Sequence, residues 1–308
     1  MTIDGRDILS TWGVTLLEDS YSGLFKYPTR TNVSYTNYAE RDGITPDLRK
    51  IEFQSKSVPL KFLMEHKTED DFWKKYQTFY SDMTSVGYRV MNLENGLIHK
   101  LRYDKTASYD SPNLFNWSNT VTSFTLNFIE DKNSIPATAE PIGGVSLRGV
   151  YGINGRDFGE FGIHPDGEIG SMLHYPDVKE PFTDGQTYDL NTRRLKHKEI
   201  TLPLWILANS KSEFINNYSA FFNQFNRTGK QSLYIKEIGG TTYAYYTECP
   251  SYTVHWNNNG QIGAKFSIKI VVPVVTWLNG TTTILTVVKD PILGLLADDQ
   301  GRIITFNR

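Results

Sequence analysis

The sequence of 308 residues contains one cysteine, Cys249. A disulfide within the chain is therefore impossible, and so is a multi-cysteine metal site. A lone thiol beside Pro250 in an aromatic stretch reads as a small packed residue, not a nucleophile. Neither sign of charge is in excess: 32 Lys and Arg stand against 34 Asp and Glu, a formal net charge of -2. That balance leaves no global basic footprint and argues against a dedicated nucleic-acid binder. Long apolar runs are missing too. The longest apolar region, around Ile268 to Leu278, is broken by Lys269 and Pro273, so no membrane insertion by this chain is expected. Met1-Thr2-Ile3-Asp4-Gly5-Arg6-Asp7 has neither the basic stretch nor the apolar run of a signal peptide, which implies synthesis in the cytoplasm.

The signatures of chemistry are equally sparse. There is no P-loop, no dinucleotide fingerprint and no G-x-S-x-G elbow. The six histidines (His66, His99, His164, His174, His197, His255) form no H-x-x-x-H pair with a nearby acid for zinc. Asp70-Asp71 and Asp298-Asp299 read as helix capping and turn chemistry. No catalytic residue, cofactor or metal is assigned, and an enzyme is not expected.

What the sequence does have is a repeat, and repeats decide the fold. Ile3-Asp4-Gly5-Arg6-Asp7 returns as Ile153-Asn154-Gly155-Arg156-Asp157. Trp12-Gly13-Val14 is echoed by Phe161-Gly162-Ile163, and Asp42-Gly43 by Asp184-Gly185, a turn dipeptide in both places. Ser57-Val58-Pro59-Leu60-Lys61-Phe62 matches Thr201-Leu202-Pro203-Leu204-Trp205-Ile206, each an alternating strand with a proline that points to an edge strand or a strand start. Thr68 to Asp71 and Ser210 to Glu213 read as capping boxes. Each opens a helix with four rings on one stripe: Phe72, Tyr76, Phe79 and Tyr80, then Phe214, Tyr218, Phe221 and Phe222. At i, i+4, i+7, i+8 these are core positions. A closing strand, Ser123 to Phe128, matches Lys265 to Ile270. Phe72 to Phe214 and Phe124 to Phe266 are both separations of 142 residues, so the two copies keep helix and strand in register.

The expected fold is mainly β: two tandem β-sandwich or barrel domains, each with one flanking α-helix, plus a small C-terminal β-meander. The domains are placed at 1–135 and 148–276, with a Pro/Gly-containing linker at 136–147 and the meander at 277–308. Two aromatic segments invite a functional reading. Tyr21 to Tyr38 is either a long surface loop or a subunit-contacting arm, since Tyr and Arg are favoured at interfaces. Its interface candidates are Lys26, Tyr27, Arg30, Tyr35 and Tyr38, with His174 and Tyr175 in the corresponding segment of the second copy. Tyr243 to Trp256 is either a strand pair with aromatic cross-strand contacts or a sugar-stacking surface built on Tyr243, Tyr245 and Trp256.

The order I-[DN]-G-x-D, [WF]-G-[VI], a loop ending in D-G, a strand with proline before leucine, a capped aromatic helix and a closing alternating strand resembles the N-terminal domain of phage distal tail proteins. The resemblance spans most of residues 1–275 and is cleaner in the second copy. It implies a tail-tube-like fold and a structural role in the virion tail: a distal tail or baseplate ring around the DNA channel at the tail tip. Its implied partners are copies of itself, tail tube and tail hub proteins, and phage DNA only in transit through the lumen. The family usually carries one such domain and forms hexamers; two per chain favour a trimer with pseudo-six-fold symmetry, with a hexamer as the alternative. Neighbouring domains are expected to pair edge to edge. A trimeric tail tube or hub protein is a related reading. A carbohydrate-binding host-recognition module, or an enzyme with a site between the copies, are the rivals from other classes.

Overall fold

The computed structural model describes residues 1–39, 41–93, 97–110, 121–134, 139–145, 150–166, 176–179, 194–236, 240–256 and 261–275. The first repeated motif explains itself locally. β1 (Thr2–Ile3) and β2 (Arg6–Asp7) form a minimal hairpin, and its turn places Asp4 at φ 51° and Gly5 at φ 78°. Two left-handed residues make the turn whose twist suits a two-residue hairpin, which is why the motif reads [DN]-G. Asp7 then caps α1 (Ile8–Trp12), its carboxylate accepting from Ser10 N at 2.9 Å. Gly13, at φ 66°, closes that helix and releases the chain into β3 (Val14–Leu16).

The first half continues with α2 (Asp19–Phe25), a small hairpin of β4 (Tyr35–Thr36) and β5 (Thr45–Pro46), then β6 (Lys56–Glu65), α3 (Glu69–Thr84), β7 (Tyr88–Leu93), β8 (Leu97–Asp110) and β9 (Val121–Glu130). Its antiparallel sheet runs β2-β1-β7-β8-β9-β6-β3. The second half repeats the sequence of elements. β10 (Tyr151–Ile153) and β11 (Arg156–Asp157) flank a turn with Asn154 at φ 51° and Gly155 at φ 80°. A single 3-10 turn, Phe158–Phe161, replaces α1 and ends at Gly162, φ 64°. Then come β12 (Ile163–Pro165), β13 (Lys198–Ala208), α4 (Lys211–Asn223), β14 (Gln231–Ile235), β15 (Gly240–Glu248), β16 (Tyr252–Trp256) and β17 (Ile262–Val272). The order β11-β10-β14-β15-β17-β13-β12 matches the first sheet strand for strand, with β16 added alongside β17. The molecule is mainly β, of the expected sandwich or barrel class, with a long helix packed on each sheet.

The two long helices start as the sequence indicates, with one difference. Thr68 and Ser210 accept from the backbone N–H of Asp71 and Glu213, both at 3.2 Å. The returning carboxylates, however, accept from Lys67 N and Asn209 N, the residues before the caps, so the box closes one residue early in both copies. A full capping box forms instead at Asp157 and Glu160, which sequence reading did not single out. The aromatic stripes do pack inward: Phe79 lies 5.1 Å from Phe62 and 5.8 Å from Phe124, and Phe222 lies 5.6 Å from Phe266. Truncating a buried ring of this kind costs about 3–5 kcal/mol.

One expectation needs correction. Pro59 and Pro203 are not on edge strands, because β6 and β13 each have a neighbour on both sides. The neighbours β3 and β12 are short, pairing only with Phe62–Met64 and Leu204–Ile206, so each proline sits just past their reach. Its missing N–H faces that gap, as the direction of Lys61 N toward the Ser20 hydroxyl shows for β6. β2, β3, β11 and β12 are two or three residues long, a length that blunts an edge. At the segment between the two halves, Asn217 on α4 accepts from Ile142 N at 2.6 Å and donates to Ile142 O at 2.9 Å. The meander at 277–308 and Asp184-Gly185 lie outside the described residues.

Candidate assembly interface

The two halves share one hydrophobic core that runs without a break through Leu24, Phe25 and Tyr27. These residues belong to a strap at the end of α2, and its backbone explains how it can be buried. A buried carbonyl needs a donor, and here successive carbonyls turn to opposite halves. Those of Leu24 and Lys26 accept from Lys56 Nζ of the first half at 2.7 and 3.0 Å. That of Phe25 accepts from the Tyr218 hydroxyl of the second half. Pro28 O accepts from the Tyr246 hydroxyl at 3.1 Å, and Arg30 N donates to Thr247 O at 2.7 Å. Lys26 Nζ reaches Pro250 O at 3.1 Å.

The side chains of the strap seat on the second half's aromatic residues. Phe25 meets Phe214 and Tyr218 edge-on at 5.3 and 5.7 Å. Tyr27 stacks on Phe222 at 4.4 Å and meets Tyr246 edge-on at 5.2 Å. Such ring pairs add roughly 0.5–1.5 kcal/mol each beyond area burial.

Lys56 is the root of the strap. Its third donor meets Glu130 at 2.9 Å, and Glu130 also accepts from Ser134 and bonds His99 Nδ1 at 2.8 Å. Burial pushes the Glu130 carboxyl up, but the His99 hydrogen bond and the Lys56 charge outweigh it and hold the group at about 2. Burial pulls Lys56 below the ordinary lysine range, with Glu130 offsetting part of that. Burial also lowers His99, so it stays neutral around pH 7. The paired acid and bases leave no recognisable spacing in the sequence. Their signal is only a charged residue at an inward strand position, Lys56 or Glu130 at the end of an apolar alternation.

A second contact ties the halves through the loop beyond β4. Lys179 Nζ is buried against the carbonyls of Tyr38, Arg41 and Gly43 at 2.9, 2.7 and 2.6 Å. Gly43 N donates to Leu195 O, and Ile44 N to Pro273 O. Gly43 has φ +69°, and a Cβ there would lie 1.8 Å from Pro273 O.

The candidate residues therefore divide. Lys26, Tyr27 and Arg30 serve the seam inside the chain: Tyr27 is 1% exposed, and the Arg30 guanidinium lies 5.8 Å from the Tyr245 ring centre. The subunit-contacting arm expected for them is thus an intramolecular strap. Tyr35 and Tyr38 remain exposed, at 54% and 46%. His174 and Tyr175 lie outside the described residues. Of the residues offered for a sugar-stacking surface, Tyr243 is 56% exposed, while Tyr245 is 4% exposed and packed with Ile44, Leu48 and Val271. The side chain of Trp256 is outside the described residues. β15 and β16 pair with β17, not with one another. Cys249 is buried, and burial pushes its thiol up to about 12, as suits a packed residue.

Among the described residues no group of three His, Cys, Asp or Glu is placed to hold a metal, and no helix is long and apolar enough to cross a membrane. No protein-family model matches the chain. No curated protein matches it in sequence. Among solved structures it is similar to the Dit (gp 19.1) protein of phage SPP1, described as a paradigm of the hub adsorption apparatus in phages infecting Gram-positive bacteria. The identity is 9% and the TM-score 0.31, over 88% of this chain and 96% of that one.

Proposed function

We propose that this chain is a structural, non-catalytic component of a phage tail, a distal tail or baseplate ring around the DNA channel at the tail tip. The observation that carries the reading is the matching strand order of the two sheets, each with its long helix at the same place in the order of elements. We read that match as a tandem duplication. Two like units per chain, sealed by one core, supply a third of a six-fold ring, so three chains close it. The repeated motifs that resemble distal tail proteins point to the same architecture. Near-neutral charge suits a lumen that must not hold DNA by its phosphates. A trimeric tail tube or hub protein would use the same construction at another level of the tail.

The test is the assembly state of the purified chain, by light scattering after size exclusion and by negative-stain imaging. Three-chain particles with a central hole are expected. A chain that stays monomeric at the highest attainable concentration would overturn the ring reading.

A further inference from the structure

Among the described residues, Arg30 is a buried cation without a counter-ion. It is 4% exposed, and buried charges are ordinarily paired with an opposite charge. One side-chain nitrogen, Nη2, donates to Lys50 O at 3.0 Å, and the guanidinium lies 5.8 Å from the Tyr245 ring centre. The other N–H donors of the fork have no protein partner among the described residues. Burial pulls Arg30 below the ordinary arginine range, and the groups that pull it back are the hydroxyls of Tyr245 and Tyr27. Burial raises both tyrosines, so they are neutral at pH 7 and balance no charge.

The backbone does not require this charge. In the first half Gln54 N donates to Thr29 O and Thr31 N to Glu52 O, both at 2.8 Å, and between them Arg30 bridges to Phe53. In the second half Lys196 N donates to Asp177 O and Lys179 N to Arg194 O, both at 2.7 Å, and between them Val178 bridges to Leu195. The same ladder carries a half-exposed valine where the first half buries an arginine.

Arg30 lines a cleft of about 510 Å³, within the roughly 300–1,000 Å³ of small-molecule sites. The cleft exists because two stretches part between two closing bonds. Thr31 N donates to Glu52 O on one side, and Asp47 N to Ser34 O on the other, at 2.8 Å each. The rim is polar, with Thr31, Asn32 and Ser34 exposed. Arg49 and Asp47 also line it, but they neutralise one another through bonds of 2.9 and 2.6 Å. What remains is buried Arg30 and exposed Lys50 against one acid, the exposed Glu52.

We propose that this cleft binds a phosphate group, with the Arg30 fork donating to its oxygens and Lys50 supplying the second positive charge. A guanidinium matches adjacent phosphate oxygens, and with an ammonium it balances the nearly two negative charges of a phosphate; a carboxylate carries one. The volume leaves room for the carrier of a phosphate ester, so an ester and free phosphate are the two sources of the group.

Calorimetric titration of the full chain at pH 7 with inorganic phosphate, ribose 5-phosphate and acetate tests the site. Saturable phosphate binding is expected, at least about tenfold tighter than acetate, equivalent to about 1.4 kcal/mol. Arg30→Met should weaken phosphate by at least about tenfold and Lys50→Met by a smaller factor, while Glu52→Gln should tighten it by removing a like charge. Ribose 5-phosphate binding tighter than phosphate makes an ester the ligand; equal or weaker binding makes it free phosphate. Arg30 also touches the seam, so circular dichroism checks that its variant folds. Should it unfold, Lys50→Met and Glu52→Gln decide through their opposite effects, since both residues are exposed. No saturable phosphate binding, no preference over acetate, or an affinity that the variants leave unchanged overturns the proposal. The ring reading is untouched by either result.

Discussion

Replacing Lys56 with methionine isolates the root of the strap. Methionine keeps most of the volume and removes the ammonium, which bonds Glu130 at 2.9 Å and the carbonyls of Leu24 and Lys26 at 2.7 and 3.0 Å. Stranding one partner of a buried ion pair costs about 3–5 kcal/mol. Each unsatisfied carbonyl adds roughly 1 kcal/mol or more. Against this, Glu130 keeps Ser134 and His99, and Lys56 sits below its ordinary pKa, so its burial is itself unfavourable. The net expectation is a loss of about 4 kcal/mol in urea unfolding at pH 7, followed by tryptophan fluorescence. A second readout separates this from simple loss of packing. In the folded chain the His99 hydrogen bond and the Lys56 charge hold the Glu130 carboxyl at about 2, against an ordinary value of 4.5. The stability this shift provides is complete above pH 4.5 and is lost as pH falls toward 2. Without the Lys56 charge the carboxyl titrates higher, so the acid limb of the stability curve should move up in pH. A loss below about 1 kcal/mol, or an acid limb that stays where it was, would refute the assignment of Lys56 as the buried root.

Two other expectations follow from the seam. Gly43→Ala puts a Cβ 1.8 Å from Pro273 O at a positive φ, so the loop must leave Leu195 and Pro273; a loss of roughly 2–4 kcal/mol is expected, and a thermal midpoint matching that of the natural chain would count against this contact. The seam should also open in alkali, because burial raises Tyr218, Tyr246 and Tyr252 above their ordinary value of 10.0 and Cys249 from 9.0 to about 12. Groups raised in the folded state contribute stability that is whole below the unfolded values and is lost as pH climbs past them. Tyrosinate absorbance should therefore show a late, cooperative step that coincides with unfolding, and a gradual titration of the whole set near pH 10 would argue that these rings are not sealed.

Much of the local structure was legible because it is governed by short-range rules. The ring stripes of α3 and α4 were readable for that reason, since helical spacing alone puts them on one face. The [DN]-G turn, the Asp7 and Asp157 caps and the closing Gly13 and Gly162 are also satisfied within a few residues, but in the sequence they register only as a repeated motif, with no cap or turn role assigned to them. Relations across the chain were not. That Tyr27 would stack on Phe222, that Arg30 would meet Thr247, and that Tyr245 would vanish beneath Ile44 and Leu48 depend on where the second half sits. An aromatic, basic segment has the composition of an interface in either case, and composition does not say whether the partner is another chain or the rest of this one.

The sequence by itself determined the repeat, the alternating strands and the two capped helices, because hydrophobic period and capping chemistry are local. Only the tertiary structure decided what the segment after α2 is for. Its carbonyls find donors on both halves, Lys56 on one side and Tyr218 and Tyr246 on the other, and no local rule chooses such partners. The physical reason is that a buried backbone must be satisfied by whatever donors the fold brings to it.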